Sequence, residues 1–79
     1  MNIQDYIKNP NKYESFKTAK MNCNVFTHNG ENDLKENQCV AVKFSCNAWN
    51  QLYKRYEPVY EINNSSIFVY GAGLKDFVL

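Results

Sequence analysis

Four residues of this sequence are cysteine or histidine, the two types that form structural zinc sites: Cys23, His28, Cys39 and Cys46. Structural zinc sites are usually built from close pairs, such as two cysteines with two to four residues between them. Here four residues separate Cys23 from His28 and six separate Cys39 from Cys46, which is poor spacing for such a site. Buried thiols acting as small apolar side chains are the simpler explanation. The sequence therefore predicts no metal and no cofactor.

A cysteine nucleophile is the second chemistry to consider. Cys46 lies near the start of a predicted helix, where the helix dipole would lower the pKa of a thiol. His28 is the only histidine that could serve as its base, but it adjoins the turn signal Asn29-Gly30, where a polar exposed residue is expected anyway. Because no nucleophile, base and orienting group come together, we predict no catalytic residues and no enzymatic activity.

The sequence Gly71-Ala72-Gly73 superficially resembles a nucleotide-binding loop. It lacks the third glycine, and the residues that follow leave no room for the helix, second strand and acidic ribose ligand of a dinucleotide fold. A chain turn is the better interpretation.

Nucleic acid is a stronger alternative, because Lys54 and Arg55 stand between Tyr53 and Tyr56. Aromatic residues interleaved with basic ones can stack bases and follow a single strand. The net charge is only +1, however, and the basic residues are eight lysines and one arginine, which is unfavourable for base recognition. A small regulator that binds RNA or single-stranded nucleic acid therefore stays the second hypothesis.

The elements that would position these residues alternate between short helices and strands. Ile3, Tyr6 and Ile7 have helical spacing, and Asn9-Pro10 starts a second short helix that presents Tyr13 and Phe16. Four strands are predicted, at residues 21–27, 39–45, 59–62 and 66–70, and they form two hairpins. Leu74, Phe77 and Val78 have helical spacing near the C-terminus.

One longer helix is predicted at about 46–56. Trp49, Leu52, Tyr53 and Tyr56 follow the i, i+3, i+4, i+7 pattern of an amphipathic helix with an aromatic stripe. The predicted fold is α+β: residues 1–79 form a single domain in which this helix packs, through a buried Trp49, on a small and mainly antiparallel four-stranded sheet.

The working surface is expected on the sheet face that this helix does not cover. With a two-residue turn at Asn63-Asn64, Tyr60, Ile62, Ile67 and Val69 share the core face. The opposite face then carries the predicted partner-binding residues, with two basic residues at its edge: Val59, Phe68, Tyr70, Lys54 and Arg55. Whether the N-terminal helices cover this face is left open.

These observations favour a non-enzymatic protein-binding module. Size, near-neutral charge and an asparagine- and lysine-rich composition suggest a small phage or mobile-element protein that binds and inhibits a host protein. A homodimer formed through the open face is a further alternative. Three cysteines without a signal sequence, and the lack of a long apolar run, predict a cytoplasmic protein that does not associate with a membrane.

Overall fold

A computed structural model describes residues 3–27, 30 and 33–79, which form two short helices and five strands. In chain order the elements are α1 (Ile3–Lys8), α2 (Pro10–Glu14), β1 (Thr18–Met21), β2 (Cys39–Asn50), β3 (Arg55–Ile62), β4 (Ile67–Tyr70) and β5 (Leu74–Val78). A 3-10 turn, Gly71–Gly73, joins β4 to β5.

The five strands form one antiparallel sheet in the order β4-β3-β2-β1-β5. The two edge strands, β4 and β5, are consecutive in the chain and are separated only by the 3-10 turn. The two edges must therefore approach each other, and the sheet curls around its core. A bulge in β2 between Phe44 and Cys46 supplies local bending, as bulges do in strongly twisted sheets.

The α+β class and the small antiparallel sheet are confirmed, but the sheet has five strands rather than four, and its first strand is Thr18–Met21 rather than residues 21–27. The fifth strand is the segment around Leu74, Phe77 and Val78, for which the spacing predicted a helix. Five residues are too few for spacing to decide between helix and strand. Pairing with β1, for example Met21 with Leu74, decides it here.

The predicted helix at 46–56 is wrong. Residues 46–50 continue β2, residues 51–54 form a turn, and β3 begins at Arg55. Lys54 has a φ of 52°, a left-handed conformation that closes this turn and cannot occur in the middle of a helix. Pairing of residues 46–50 with residues 55–59 satisfies the backbone of both segments, and this pairing overrides the helical spacing of the aromatic residues. Trp49 is consequently 49% exposed rather than buried.

The hairpin of β3 and β4 has the predicted faces but another register. Ile62 pairs with Ile67 and Tyr60 with Val69, whereas the predicted turn paired Ile62 with Ser65 and Tyr60 with Ile67. Asn63 and Asn64 both have positive φ, as expected, in a loop of four residues. Because side chains alternate with a period of two, a shift of two residues leaves every side chain on its predicted face.

Both N-terminal helices are present, although the second ends at Glu14 and leaves Phe16 outside it, and this N-terminal segment packs against the inner face of the sheet. The hydroxyl of Tyr60 donates a buried 2.6 Å hydrogen bond to the carbonyl of Tyr13. The rings of Tyr13 and Phe16 pack with Phe77 of β5, with the Phe16 and Phe77 rings stacked at 4.8 Å. The helices thus cover the face of Tyr60, and the outer face that carries Phe68 and Tyr70 is left to solvent.

Candidate binding groove

A concave surface, here called the groove, lies where the β2–β3 turn, strand β4 and the 3-10 turn meet. It has a volume of about 480 Å³, within the size range of ligand pockets. Four segments of the chain line it: the start of the loop after β1 (22, 23 and 25), the end of β2 with the β2–β3 turn (50, 52 and 53), β4 (68–70) and the 3-10 turn (72–73).

The walls of the groove are largely apolar and exposed. Leu52 is 80% exposed, Phe68 55% and Tyr53 54%, although all three are large apolar or aromatic side chains. Scattered single apolar residues are normal on a protein surface, but contiguous ones mark interaction sites more often.

Beneath the groove lies a carboxylate that is fully buried. Glu57 of β3 has 0% exposure, and its Oε2 accepts hydrogen bonds from Asn50 Nδ2 at 2.9 Å and Arg55 Nε at 3.2 Å. Its other oxygen, Oε1, accepts a 3.0 Å hydrogen bond from the backbone N–H of Ala72. Buried charges persist when they are paired and hydrogen-bonded in this way.

Two rings of the groove are held by polar contacts. The Arg55 guanidinium lies over the Tyr53 ring, 4.9 Å from its centroid, which is a cation–π arrangement. The Tyr70 hydroxyl reaches across β3 and donates a 2.9 Å hydrogen bond to the carbonyl of Trp49. These contacts fix the rings while leaving apolar surface free.

The residues predicted to bind a partner lie in and around this groove. Phe68 and Tyr70 line it, and Val59 pairs with Tyr70 on the neighbouring strand, half-buried. Lys54 is exposed in the β2–β3 turn, and Arg55 is half-buried against Glu57.

Sequence reasoning missed other residues of the site. Leu52 and Tyr53 were assigned to the core stripe of a helix, and Glu57 was assigned no role. Residues 55–62 do carry a signal for a strand, because polar and charged residues at 55, 57 and 61 alternate with Tyr56, Pro58, Tyr60 and Ile62. That alternation would have put Glu57 on a strand.

The other face of the β2–β3 hairpin carries a second aromatic pair. Trp49 and Tyr56 are cross-strand partners whose rings meet edge to face at 5.3 Å, and Tyr56 is 60% exposed. Strand alternation puts this pair on the side of the hairpin opposite to Glu57. The hairpin thus has exposed rings on both faces, and Tyr53 is the one of these rings that lines the groove.

All three cysteines are exposed, so the interpretation as buried thiols is wrong. Cys46 lies within β2, so no helix dipole acts on its thiol. In residues 3–27, 30 and 33–79, no group of three or more His, Cys, Asp or Glu side chains is placed to hold a metal, and His28 falls outside these residues.

Comparison of the chain with protein-family models, with curated proteins and with solved structures finds no match. Within the described part of the chain, neither helix has the length and apolar character needed to cross a membrane.

Proposed function

We propose that this chain is a non-enzymatic protein-binding module and that its binding site is the groove. The observation that carries the proposal is the position of Tyr53, Phe68 and Tyr70 around one concave surface. Tyrosine contributes a large contact area at low entropic cost and is enriched at the energetic centres of interfaces, and phenylalanine is enriched in interfaces generally.

The chemistry of the groove suggests what kind of partner segment it takes. Its exposed walls are apolar, and the charge of the Glu57 carboxylate beneath it is compensated by Arg55. Such a surface favours a protein segment that inserts an aromatic or aliphatic side chain between the rings, rather than a strongly charged ligand.

The test begins with a random peptide library displayed on phage and selected against the full chain. The peptide that is enriched most is titrated into the isotope-labelled protein while its backbone amide signals are recorded by NMR. We expect the largest shift changes at residues 50–53 and 68–73, and weak dependence of the affinity on salt, because burial of apolar surface dominates.

Two results would contradict the proposal. One is shift changes confined to Trp49, Tyr56 and their neighbours on the other face of the hairpin. The other is failure of the selection to enrich any peptide that binds the folded chain.

Single-stranded nucleic acid is the second candidate, and the stacking of Arg55 on Tyr53 next to the exposed Lys54 favours it. This candidate predicts that a fluorescent single-stranded oligonucleotide binds in the groove and that its affinity falls steeply with salt. The pairing of Arg55 with Glu57 argues against it, because it leaves Lys54 as the free cation of this turn.

The biological role that we propose is that of a small phage or mobile-element protein that binds and inhibits a host protein in the cytoplasm. Support for this role comes from size and composition alone. A homodimer that uses the groove as its own interface would instead show twice the 9.3 kDa mass in sedimentation equilibrium.

A further inference from the structure

We infer that the buried carboxylate of Glu57, with Asn50 and Arg55, is a positioning cluster that holds the walls of the groove in their binding geometry. The inference rests on the proposed function for its biological meaning, but the geometry of the cluster can be tested without any ligand.

The first step of the argument is that three different segments converge on one side chain. Asn50 ends β2, Arg55 begins β3, and Ala72 belongs to the 3-10 turn between β4 and β5. Each donates a hydrogen bond to Glu57, at 2.9, 3.2 and 3.0 Å respectively. Glu57 therefore ties the β2–β3 turn to the 3-10 turn, which form two of the walls.

The second step is that these three partners all act as donors to the carboxylate. The Arg55 Nε and the Ala72 amide can only donate. The Asn50 amide could turn its oxygen inward, but that Oδ1 already accepts a 3.0 Å hydrogen bond from the backbone N–H of Leu52. The site is thus built for an acceptor with two oxygens, and a glutamine would put its own N–H groups against at least one of the donors.

The third step connects these donors to the surface that a partner would touch. Asn50 holds the backbone of Leu52, and Arg55 stacks on Tyr53. Leu52 and Tyr53 line the groove and are 80% and 54% exposed, and these contacts with Asn50 and Arg55 tie them to the polar cluster. Glu57 is a positioning residue, since the buried carboxylate need not touch the partner itself.

The experiment compares Glu57→Gln with Glu61→Gln in the full chain. Glu61 lies on the same strand and the same face, and it accepts a hydrogen bond from the Ser66 amide. Hydrogen exchange of backbone amides is followed by NMR. In Glu57→Gln, we expect exchange at Ala72 and Leu52 to accelerate about tenfold or more, while the amides of Tyr60 and Ile62 keep their protection. In Glu61→Gln, exchange at Ala72 and Leu52 should not change.

A second measurement, the affinity for the selected peptide, distinguishes failure of this inference from failure of the proposed function. The library-selected peptide should bind Glu57→Gln about tenfold more weakly and Glu61→Gln with unchanged affinity. Faster exchange with unchanged peptide affinity would contradict the groove as the binding site, although the cluster would still position its walls. Unchanged exchange at both Ala72 and Leu52 would overturn the cluster itself.

Arg55→Met provides a test that keeps the carboxylate, in case Glu57→Gln does not fold. It removes one donor and the stacking on Tyr53, and leaves Glu57 bonded to Asn50 and Ala72. We expect the Tyr53 ring signals to shift and the peptide affinity to fall severalfold, while Ala72 keeps its protection. Unchanged Tyr53 signals together with unchanged affinity would overturn the inference.

Discussion

Two sets of aromatic residues in this small protein are held in opposite ways. In the inner ring cluster, made of Tyr13, Phe16, Tyr60 and Phe77, the rings pack on one another at centroid distances of 4.8 to 5.8 Å. In the groove, by contrast, Tyr53 is held by Arg55 and Tyr70 by the carbonyl of Trp49. The rings of the inner cluster lose their apolar surface to the core, whereas Tyr53 and Tyr70 keep apolar surface available at the groove.

The hydroxyls of two inner tyrosines are affected by their burial. Burial, and secondarily the hydrogen bond that it donates to Asp5, raises the pKa of Tyr13 to about 12. Burial also raises the pKa of Tyr60, which is fully inaccessible. These hydroxyls serve the fold, and their deprotonation would cost stability.

The largest effect is expected in the inner ring cluster. Tyr60→Ala should lower the free energy of unfolding by roughly 3–5 kcal/mol, because it opens a cavity and leaves the Tyr13 carbonyl without its donor. Phe68→Ala, one strand away on the outer face, should cost less than about 1 kcal/mol. Urea unfolding followed by circular dichroism measures both values. If the two substitutions lowered the free energy of unfolding equally, the contrast between the two sets of rings would be contradicted.

A smaller loss of stability is expected where the groove meets the core. A β-carbon at Gly73 would lie 2.7 Å from Cγ1 of Val69, which is too close without movement. Gly73→Ala should therefore destabilise the fold by roughly 1–3 kcal/mol through overpacking. Adding Val69→Ala to Gly73→Ala should recover part of the stability lost through crowding, so the double variant should lose less stability than the sum of the two single losses. If the two losses simply added, the close approach of residues 69 and 73 would be contradicted.

The exposed aromatic pair on the other face of the hairpin should matter less. Trp49→Ala removes an edge-to-face contact with Tyr56 and should cost about 1 kcal/mol. Differential scanning calorimetry would detect this as a shift of a few degrees in the melting temperature. If Trp49→Ala failed to fold, the result would instead indicate that Trp49 is a core residue.

The smallest effect concerns pH and the contact between the two helices. A hydrogen bond from Tyr13, with further contacts from Lys12 and Asn9, holds the pKa of Asp5 below its usual value of 3.8. Because the pKa is lower in the folded state, this stabilisation is complete above the unfolded pKa and is lost as the pH falls through the folded one. Urea midpoints between pH 6 and pH 2 should therefore drop less in Asp5→Asn than in the unchanged chain. If the urea midpoints of the two chains dropped equally between pH 6 and pH 2, this role for Asp5 would be contradicted.

Sequence reasoning succeeds where one local pattern agrees with the tertiary pairing. The alternation in 59–62 and 67–70 assigns Tyr60 and Ile62 to the core correctly, even though the register differs by two residues. It fails at 46–56, where the aromatic residues have the spacing of a helix. The structure instead pairs residues 46–50 with residues 55–59, and this tertiary pairing cannot be read from the local spacing. Because of this error, the prediction places Leu52 and Tyr53 in the core, although they lie on the surface. The groove wall formed by the β2–β3 turn is therefore missed.

The most direct test of the groove as the binding surface compares two aromatic truncations in one binding experiment. Isothermal titration of the library-selected peptide is carried out with Phe68→Ala, which alters the groove, and with Trp49→Ala, which alters the opposite face of the hairpin. The account predicts that Phe68→Ala weakens binding by about 2 kcal/mol, roughly 30-fold, while Trp49→Ala leaves it within about twofold. A larger loss with Trp49→Ala than with Phe68→Ala would contradict it.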